Sequence, residues 1–226
     1  MPGQSRIAFV TIGETPRSDI VPEMLTEIGV ATGGKAIEAV EFGVLDGLSP
    51  EALDALRAGP DELSFATRRR SGEEIVVSKD RTEERLNALL QEIDGQGFDL
   101  IVLLCTGTRI EPLRRTLVVE AQRIVDATVE ALGAGAARLG VMVPLARQVN
   151  EFDRRHVFSR PAEVVAASPY AGDDLGERAL ALRGCDLVVM HCMGYSAQML
   201  EEVRKAVEAP VLLSRRVVAG AVSQML

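Results

Sequence analysis

Two cysteines sit in matching local contexts, and the pairing is the main chemical signal in the chain. Cys105 lies in Asp99-Leu100-Ile101-Val102-Leu103-Leu104-Cys105-Thr106-Gly107-Thr108. Cys192 lies 87 positions later, in Asp186-Leu187-Val188-Val189-Met190-His191-Cys192-Met193-Gly194-Tyr195-Ser196. Each segment starts at Asp, runs apolar, places a thiol where a strand should stop, and has Gly two residues after the Cys. At such strand ends, helix N–H groups can face a ligand, favour a thiolate by lowering its pKa, and hold a carboxylate. Cys185, between Gly184 and Asp186, reads as core, where cysteines are most often found. Three is an odd count, which with no visible export signal argues for free thiols rather than a disulfide framework.

Several cysteine chemistries are poorly supported. No Cys-x-x-Cys exists and the two histidines, His156 and His191, lack ligand spacing, so no metal site is expected. Neighbouring strand residues point to opposite faces, so His191 is badly placed to activate Cys192 unless the strand has already ended. Thr11-Ile12-Gly13-Glu14-Thr15-Pro16 lacks both G-x-G-x-x-G and a P-loop lysine. The only lysines are Lys35, Lys79 and Lys205, none in a pocket-like context, so a Schiff-base cofactor is not expected.

What remains is two thiols on opposite sides of one substrate carbon. One thiolate removes a proton α to a carboxylate or carbonyl, and the other thiol delivers one to the opposite face. Hydroxyls and backbone N–H groups would stabilise the planar carbanionic intermediate, with Thr11, Thr106, Thr108, Gly194 and Ser196 as candidates. Arg17 would pair with a substrate carboxylate. Two other readings stay open: one cysteine attacks an sp² carbon covalently, or a non-catalytic protein senses a small anion in the same cleft.

The elements that must position these residues alternate between strand and helix. Arg6–Ile12, Ala36–Val44, Asp99–Leu104, Leu117–Glu120, Arg138–Val143, Ala162–Ala167, Leu187–Met190 and Val211–Leu213 read as strands. Leu63–Arg69 and Glu74–Ser78 read as a hairpin around Ser71-Gly72. Helices are expected at Ile20–Ile28 (capped by Ser18 or Asp19), after Ser49-Pro50-Glu51, and from an Asp80 cap to about Gln96. Further helices are expected at Ala121–Leu132, Leu145–Phe158, Asp173–Leu182, Ala197–Glu208 and Val217–Leu226. This alternation predicts parallel βαβ units, and apolar runs such as Leu100–Leu104 fit a sheet covered on both faces. Ligands in such sheets bind beyond the carboxyl ends of the strands, where both cysteine motifs, Thr11-Ile12-Gly13 and Val143-Pro144 fall.

With 226 residues and 47% hydrophobic content, the chain can bury one large core or two joined lobes, and disorder is excluded as its class. No apolar run reaches the length of a membrane span and the first residues lack a signal-peptide core, so no membrane partner is expected and the cytoplasm is the expected location. A net charge of −8 argues against a nucleic-acid partner. Arg68-Arg69-Arg70, followed by Glu73-Glu74, reads as a solvated hairpin. The expected partners are a small anionic substrate and, as an assembly, a second copy in a homodimer.

The two cysteine motifs resemble the paired catalytic-cysteine motifs of the aspartate/glutamate/hydantoin racemase superfamily. The chain resembles the AroM family nearly end to end, through Thr11-Ile12-Gly13-Glu14-Thr15-Pro16-Arg17, the Cys105 and Cys192 motifs, and Pro210-Val211-Leu212-Leu213-Ser214. The resemblance implies an α/β fold of two pseudo-symmetric lobes with parallel sheets and the active site in the cleft between them. The lobes are expected at residues 1–112 plus 209–226, and at 113–208. It also implies independence from cofactors and a racemase or isomerase reaction on a small carboxylate or carbonyl compound. The covalent alternative becomes a cysteine-nucleophile isomerase or decarboxylase of the same superfamily. Cys105 and Cys192 are then the catalytic pair, and Thr11, Gly13, Arg17, Thr106, Gly107, Thr108, Met193, Gly194, Tyr195 and Ser196 the substrate-binding set. Amino-acid racemases of the superfamily usually carry Cys-Asn-Thr and Cys-Thr-His. Here the motifs are Cys105-Thr106-Gly107 and Cys192-Met193-Gly194, so the second is closer to the hydantoin racemase and arylmalonate decarboxylase branch.

Overall fold

The computed structural model describes residues 4–155 and 158–226, with side chains outside 153–157; His156 lies outside these. The first half runs β1 (Ser5–Thr11), α1 (Val21–Ala31), β2 (Ile37–Gly43), α2 (Pro50–Asp54), β3 (Ser64–Arg68), β4 (Glu74–Ser78), α3 (Lys79–Ile93), β5 (Leu100–Leu103), β6 (Leu117–Glu120) and α4 (Ala121–Leu132). The second runs β7 (Leu139–Val143), α5 (Ala146–Arg155), β8 (Ala162–Ala166), α6 (Leu175–Ala179), β9 (Leu187–Met190), α7 (Ala197–Ala206), β10 (Val211–Leu213) and α8 (Ser214–Ser223).

The strands form two parallel sheets, ordered β2-β1-β5-β6 and β10-β9-β7-β8, with β3 and β4 as a separate antiparallel hairpin. Reversing the second order superposes the lobes in kind: β7 corresponds to β1, β8 to β2, β9 to β5 and β10 to β6. Ile7 faces Leu100 in one sheet as Leu139 faces Leu187 in the other. The two cysteine segments therefore follow equivalent strands, and each thiol falls two positions past the last strand residue.

Alternation along each strand decides which core a residue joins. Ile7, Phe9, Leu100 and Val102 share a single cluster with Leu139, Val141, Leu187 and Val189, filled in by α1, α4 and α8. The opposite faces carry Ala8, Val10, Ile101 and Leu103 against α3 and the hairpin, and Met142, Val188 and Met190 against α6 and α7. Full apolar strands are thus covered on both sides, as a parallel sheet requires. One core spans both sheets, so the lobes are welded rather than hinged on a linker.

The structure departs from the sequence-based expectations in several places. Leu117–Glu120 pairs with β5, so the first sheet extends past residue 112, and Val211–Leu213 pairs with β9, so the C-terminal strand belongs to the second sheet. Only α8 returns to the first lobe, packing on α1 and α4. The cap of α1 is Ile20 without a side-chain bond, because the Asp19 carboxylate is held by Arg17. The cap of α3 is Ser78 rather than Asp80. The expected 173–182 helix is α6, capped by Asp174, followed by a 3-10 turn at Leu180–Leu182. The last helix begins at Ser214, a turn earlier than expected. Among the described residues no helix is long and apolar enough to cross a membrane.

Candidate active site

Both thiols line one narrow cavity of about 40 Å³ between the carboxyl ends of the two sheets. The first lobe contributes Ile12, Arg17, Leu104, Cys105, Thr106 and Gly107, and its hairpin adds Phe65, Ala66 and Thr67. The second lobe contributes Val143, Pro144, Gln148, Phe152, Tyr170, His191, Cys192, Met193 and Gly194. The volume suits a few water molecules or a ligand of a few heavy atoms.

The two cysteine loops are fastened to each other and to the frame. The Thr106 hydroxyl donates to the His191 carbonyl at 3.0 Å, joining the ends of β5 and β9. Lys79 donates to the Gly107 carbonyl at 2.5 Å and pairs with Glu83. On the other side, the Gly194 amide points to Cys192 Sγ at 3.3 Å. The carbonyls of Met193 and Gly194 accept from Arg215, whose guanidinium is fully buried. Arg215 Nη1 lies 2.9 Å from Glu23, and Glu23 also accepts from the first amide of α7. A glycine is required at 194, because a Cβ there would sit 2.3 Å from the Tyr170 hydroxyl.

Arg17 is the cation of the cavity and is only 2% exposed. Its Nε and Nη2 bond the two oxygens of Asp19 at 2.9 and 2.8 Å, Nη1 donates to Thr11 at 2.8 Å, and Nη2 also reaches the Tyr170 hydroxyl at 3.1 Å. Burial opposes its charge, but Tyr170 and Asp19 outweigh burial and hold the group protonated. Asp19 thus takes the forked face of Arg17, which leaves one Nη1 hydrogen of the guanidinium for a ligand.

Burial dominates the electrostatics of Cys192. The Cys192 thiol is pushed above its ordinary value, because desolvation exceeds the opposing pull of the Gly194 amide, Arg17, Arg215 and Tyr170. The expected lowering by loop donors is therefore present but outweighed. Tyr170 is raised by burial and by Cys192 beside it, and Tyr195 is raised for the same reasons. All three groups hold protons more tightly folded than unfolded. Above the ordinary cysteine value of 9.0 the unfolded chain releases protons that the folded chain keeps, so stability falls as pH rises. A urea midpoint that is level to about pH 8 and drops steadily toward about pH 11 is expected. A flat or rising midpoint over that window overturns the assignment.

Of the residues singled out from sequence, Cys105, Cys192, Arg17, Thr106, Gly107, Met193 and Gly194 meet at the cavity. Thr11 stands behind it, holding Arg17. Gly13 is a packing position: a Cβ there would lie 2.5 Å from Thr67 Oγ1. Thr108 lines a neighbouring cavity of about 720 Å³ with Lys79, Glu83, Arg109 and Asp126. Tyr195 is core, its hydroxyl donating to the Ala167 carbonyl at 2.6 Å, and Ser196 caps α7. Sequence reasoning missed Tyr170, Thr67, Gln148 and Phe152, and gave His191 no place. His191 bonds Asp126 at 2.8 Å, linking the walls of the two cavities. Among the described residues no group of three or more His, Cys, Asp or Glu converges as a metal site would.

Comparison with known proteins agrees with this architecture. The family model "AroM protein" matches residues 7–226. No curated protein matches the chain. Among solved structures, glutamate racemase from Aquifex pyrophilus is similar with a TM-score of 0.57 at 13% identity, covering 98% of this chain and 84% of that one. Allantoin racemase from Klebsiella pneumoniae gives 0.54 at 14% identity, covering 98% and 87%. The maleate isomerase Iso from Pseudomonas putida S16 gives 0.53 at 12% identity, covering 98% and 92%. At these identities the likeness is one of fold.

Proposed function

Because the chain belongs to the AroM family and has a racemase-like fold, we propose that it is a cofactor-independent racemase or isomerase of a small carboxylate or carbonyl compound, with Cys105 and Cys192 as its acid–base pair. The observation that carries this reading is that two thiols from equivalent strand ends of the two lobes line one cavity. Two-sided proton transfer needs that arrangement, and a single buried thiol does not supply it.

Burial favours the protonated form of Cys192, which suits it to deliver the proton in one direction. Cys105, as thiolate, removes the α-proton, and its sulfur becomes S–H as the C–H electron pair passes into the adjacent carbonyl. Cys192 then protonates the opposite face of the carbon and becomes the thiolate. Atoms and charge balance over the cycle, and the two sulfurs have exchanged roles. Proton exchange with water after product leaves, one proton lost from Cys105 and one gained by Cys192, restores the starting state. A covalent role for either thiol has no observation in its favour beyond the thiol itself.

The test is deuterium incorporation at the α-carbon in D₂O, followed by proton NMR across L-lactate, L-alanine, methylmalonate and 5-substituted hydantoins. At least one compound is expected to exchange with the wild-type protein. The Cys105→Ser/Cys192→Ser protein is expected to lose at least about a thousandfold of that rate. Exchange that survives loss of both thiols sinks the proposal.

A further inference from the structure

We infer that Tyr170 is a positioning residue for the Cys192 thiol: its hydroxyl takes an N–H of Arg17 and turns its own hydrogen to the Cys192 sulfur. The contact stands on geometry, and only its consequence for turnover rests on the reading of the two thiols as an acid–base pair. Tyr170, Arg17 and Cys192 line the same cavity. Arg17 Nη2 donates to the Tyr170 hydroxyl at 3.1 Å. A guanidinium has no acceptor, so the phenol cannot return its hydrogen to that partner. The hydrogen goes to Cys192, whose sulfur is bonded by the Tyr170 side chain.

The surroundings fix this aim. The phenol lies directly over the Cys192 loop, where a Cβ at Gly194 would meet the hydroxyl at 2.3 Å and Pro169 Cγ at 2.9 Å. The Gly194 amide lies 3.3 Å from Cys192 Sγ, so the sulfur has a backbone donor and a phenol donor. The Tyr170 loop is held from behind. The Tyr170 and Ala171 amides donate to the Ser168 hydroxyl at 3.0 and 3.2 Å, the Ser168 amide donates to Asp173 at 2.7 Å, and the Ser168 hydroxyl donates to Glu74 of the hairpin. Arg17 is held by Asp19 and Thr11. Among the described residues, Cys192 faces Arg17 from the loop after β1, Tyr170 from the loop after β8, Tyr195 from its own loop and Arg215 from α8. Cys105 shares the cavity, and the preceding His191 is bonded to Asp126. A donor to the sulfur favours the anion over the thiol, so removing the phenol O–H disfavours the thiolate. Burial, and then Cys192 beside it, keep the phenol protonated, so it remains a donor at neutral pH.

The test is Tyr170→Phe, which keeps the ring and removes the O–H. The reduced protein is alkylated with iodoacetamide at about pH 8, and mass spectrometry reads the labelling rate of each cysteine peptide. Cys105 lines the same cavity, so the ratio of Cys192 to Cys105 labelling cancels changes in access, and Cys185, which is buried, reports folding. Loss of the donor is expected to raise the Cys192 thiol by at least about one pH unit. After the partial gain in sulfur nucleophilicity, the ratio is expected to fall at least about threefold. Placing 3-fluorotyrosine at position 170, whose more acidic O–H is a stronger donor, is expected to raise the ratio. An unchanged or higher ratio in Tyr170→Phe, or an unchanged or lower one with fluorotyrosine, overturns the inference. If Tyr170→Phe does not fold, the fluorotyrosine protein decides it. On a compound that exchanges, Tyr170→Phe is expected to slow deuterium wash-in at least about threefold when added to Cys105→Ala, and less than about twofold when added to Cys192→Ala. Equal losses in both backgrounds also overturn it. Failure of the thiol mechanism shows separately, as exchange that persists without both cysteines, and leaves the labelling result standing.

Discussion

Arg215→Met is expected to lower the stability of the folded chain by about 3 kcal/mol, near the lower end for breaking a buried ion pair. The guanidinium is fully buried, and its partner Glu23 is 27% exposed, so water compensates part of the loss on that side. Nothing compensates the carbonyls of Met193 and Gly194, which lose donors at 2.9 to 3.2 Å. For a chain of this size the melting temperature should fall by about 6–12 °C. Adding Glu23→Leu should recover part of that loss, because removing both charges is milder than stranding one. Thermal or urea unfolding of the two variants measures the cycle. A single variant as stable as wild type would remove Arg215 from the frame of the Cys192 loop. Methionine suits this position because its flexible thioether fills the space of the arginine stem without adding a charge.

The second large effect concerns the thiols singly. Cys105→Ala and Cys192→Ala are each expected to reduce inversion of a turned-over substrate by at least about a thousandfold. The remaining thiol can still take a proton from its own face and return a deuteron to it. Each variant should therefore wash label into one hand of the substrate without converting it to the other, and the two variants should prefer opposite hands. Chiral chromatography alongside deuterium NMR separates wash-in from inversion. Inversion that persists in either variant, or wash-in with the same preferred hand in both, contradicts a two-sided site.

Much of the frame was legible before any coordinates. The apolar runs ending at Leu104 and Met190, and the small residues after each cysteine, located two strand ends whose equivalence the sheet orders bear out. Lobe limits were harder to read, since Leu117–Glu120 and Val211–Leu213 look alike as short runs and only long-range pairing assigns each to its sheet. Local proximity also misled in the binding set. Tyr195 and Ser196 follow Cys192 closely, yet one turns into the core and the other caps a helix. Tyr170 carried a usable signal, because Ser168-Pro169-Tyr170 directly follows the end of β8, where ligands of parallel sheets gather. Thr67 carried none. It reaches the cavity because the hairpin crosses to the second lobe, fastened there by the Glu74–Ser168 and Ser64–Gln148 bonds. Arg215 was hidden by placing the start of its helix a turn too late.

The hairpin has a counterpart nowhere in the second lobe among the described residues, while α7 fills a position where the first lobe has only the 104–116 loop. The halves of the cavity are therefore matched at the sulfurs and mismatched in their walls. For a pair of enantiomers, detailed balance fixes the equilibrium constant at unity whatever the protein does. The mismatched walls can thus make one enantiomer bind more tightly only if it also turns over more slowly in the same proportion. If the chain is a racemase, as proposed, the hairpin would set how binding and turnover divide between the two directions and leave the composition of the final mixture untouched.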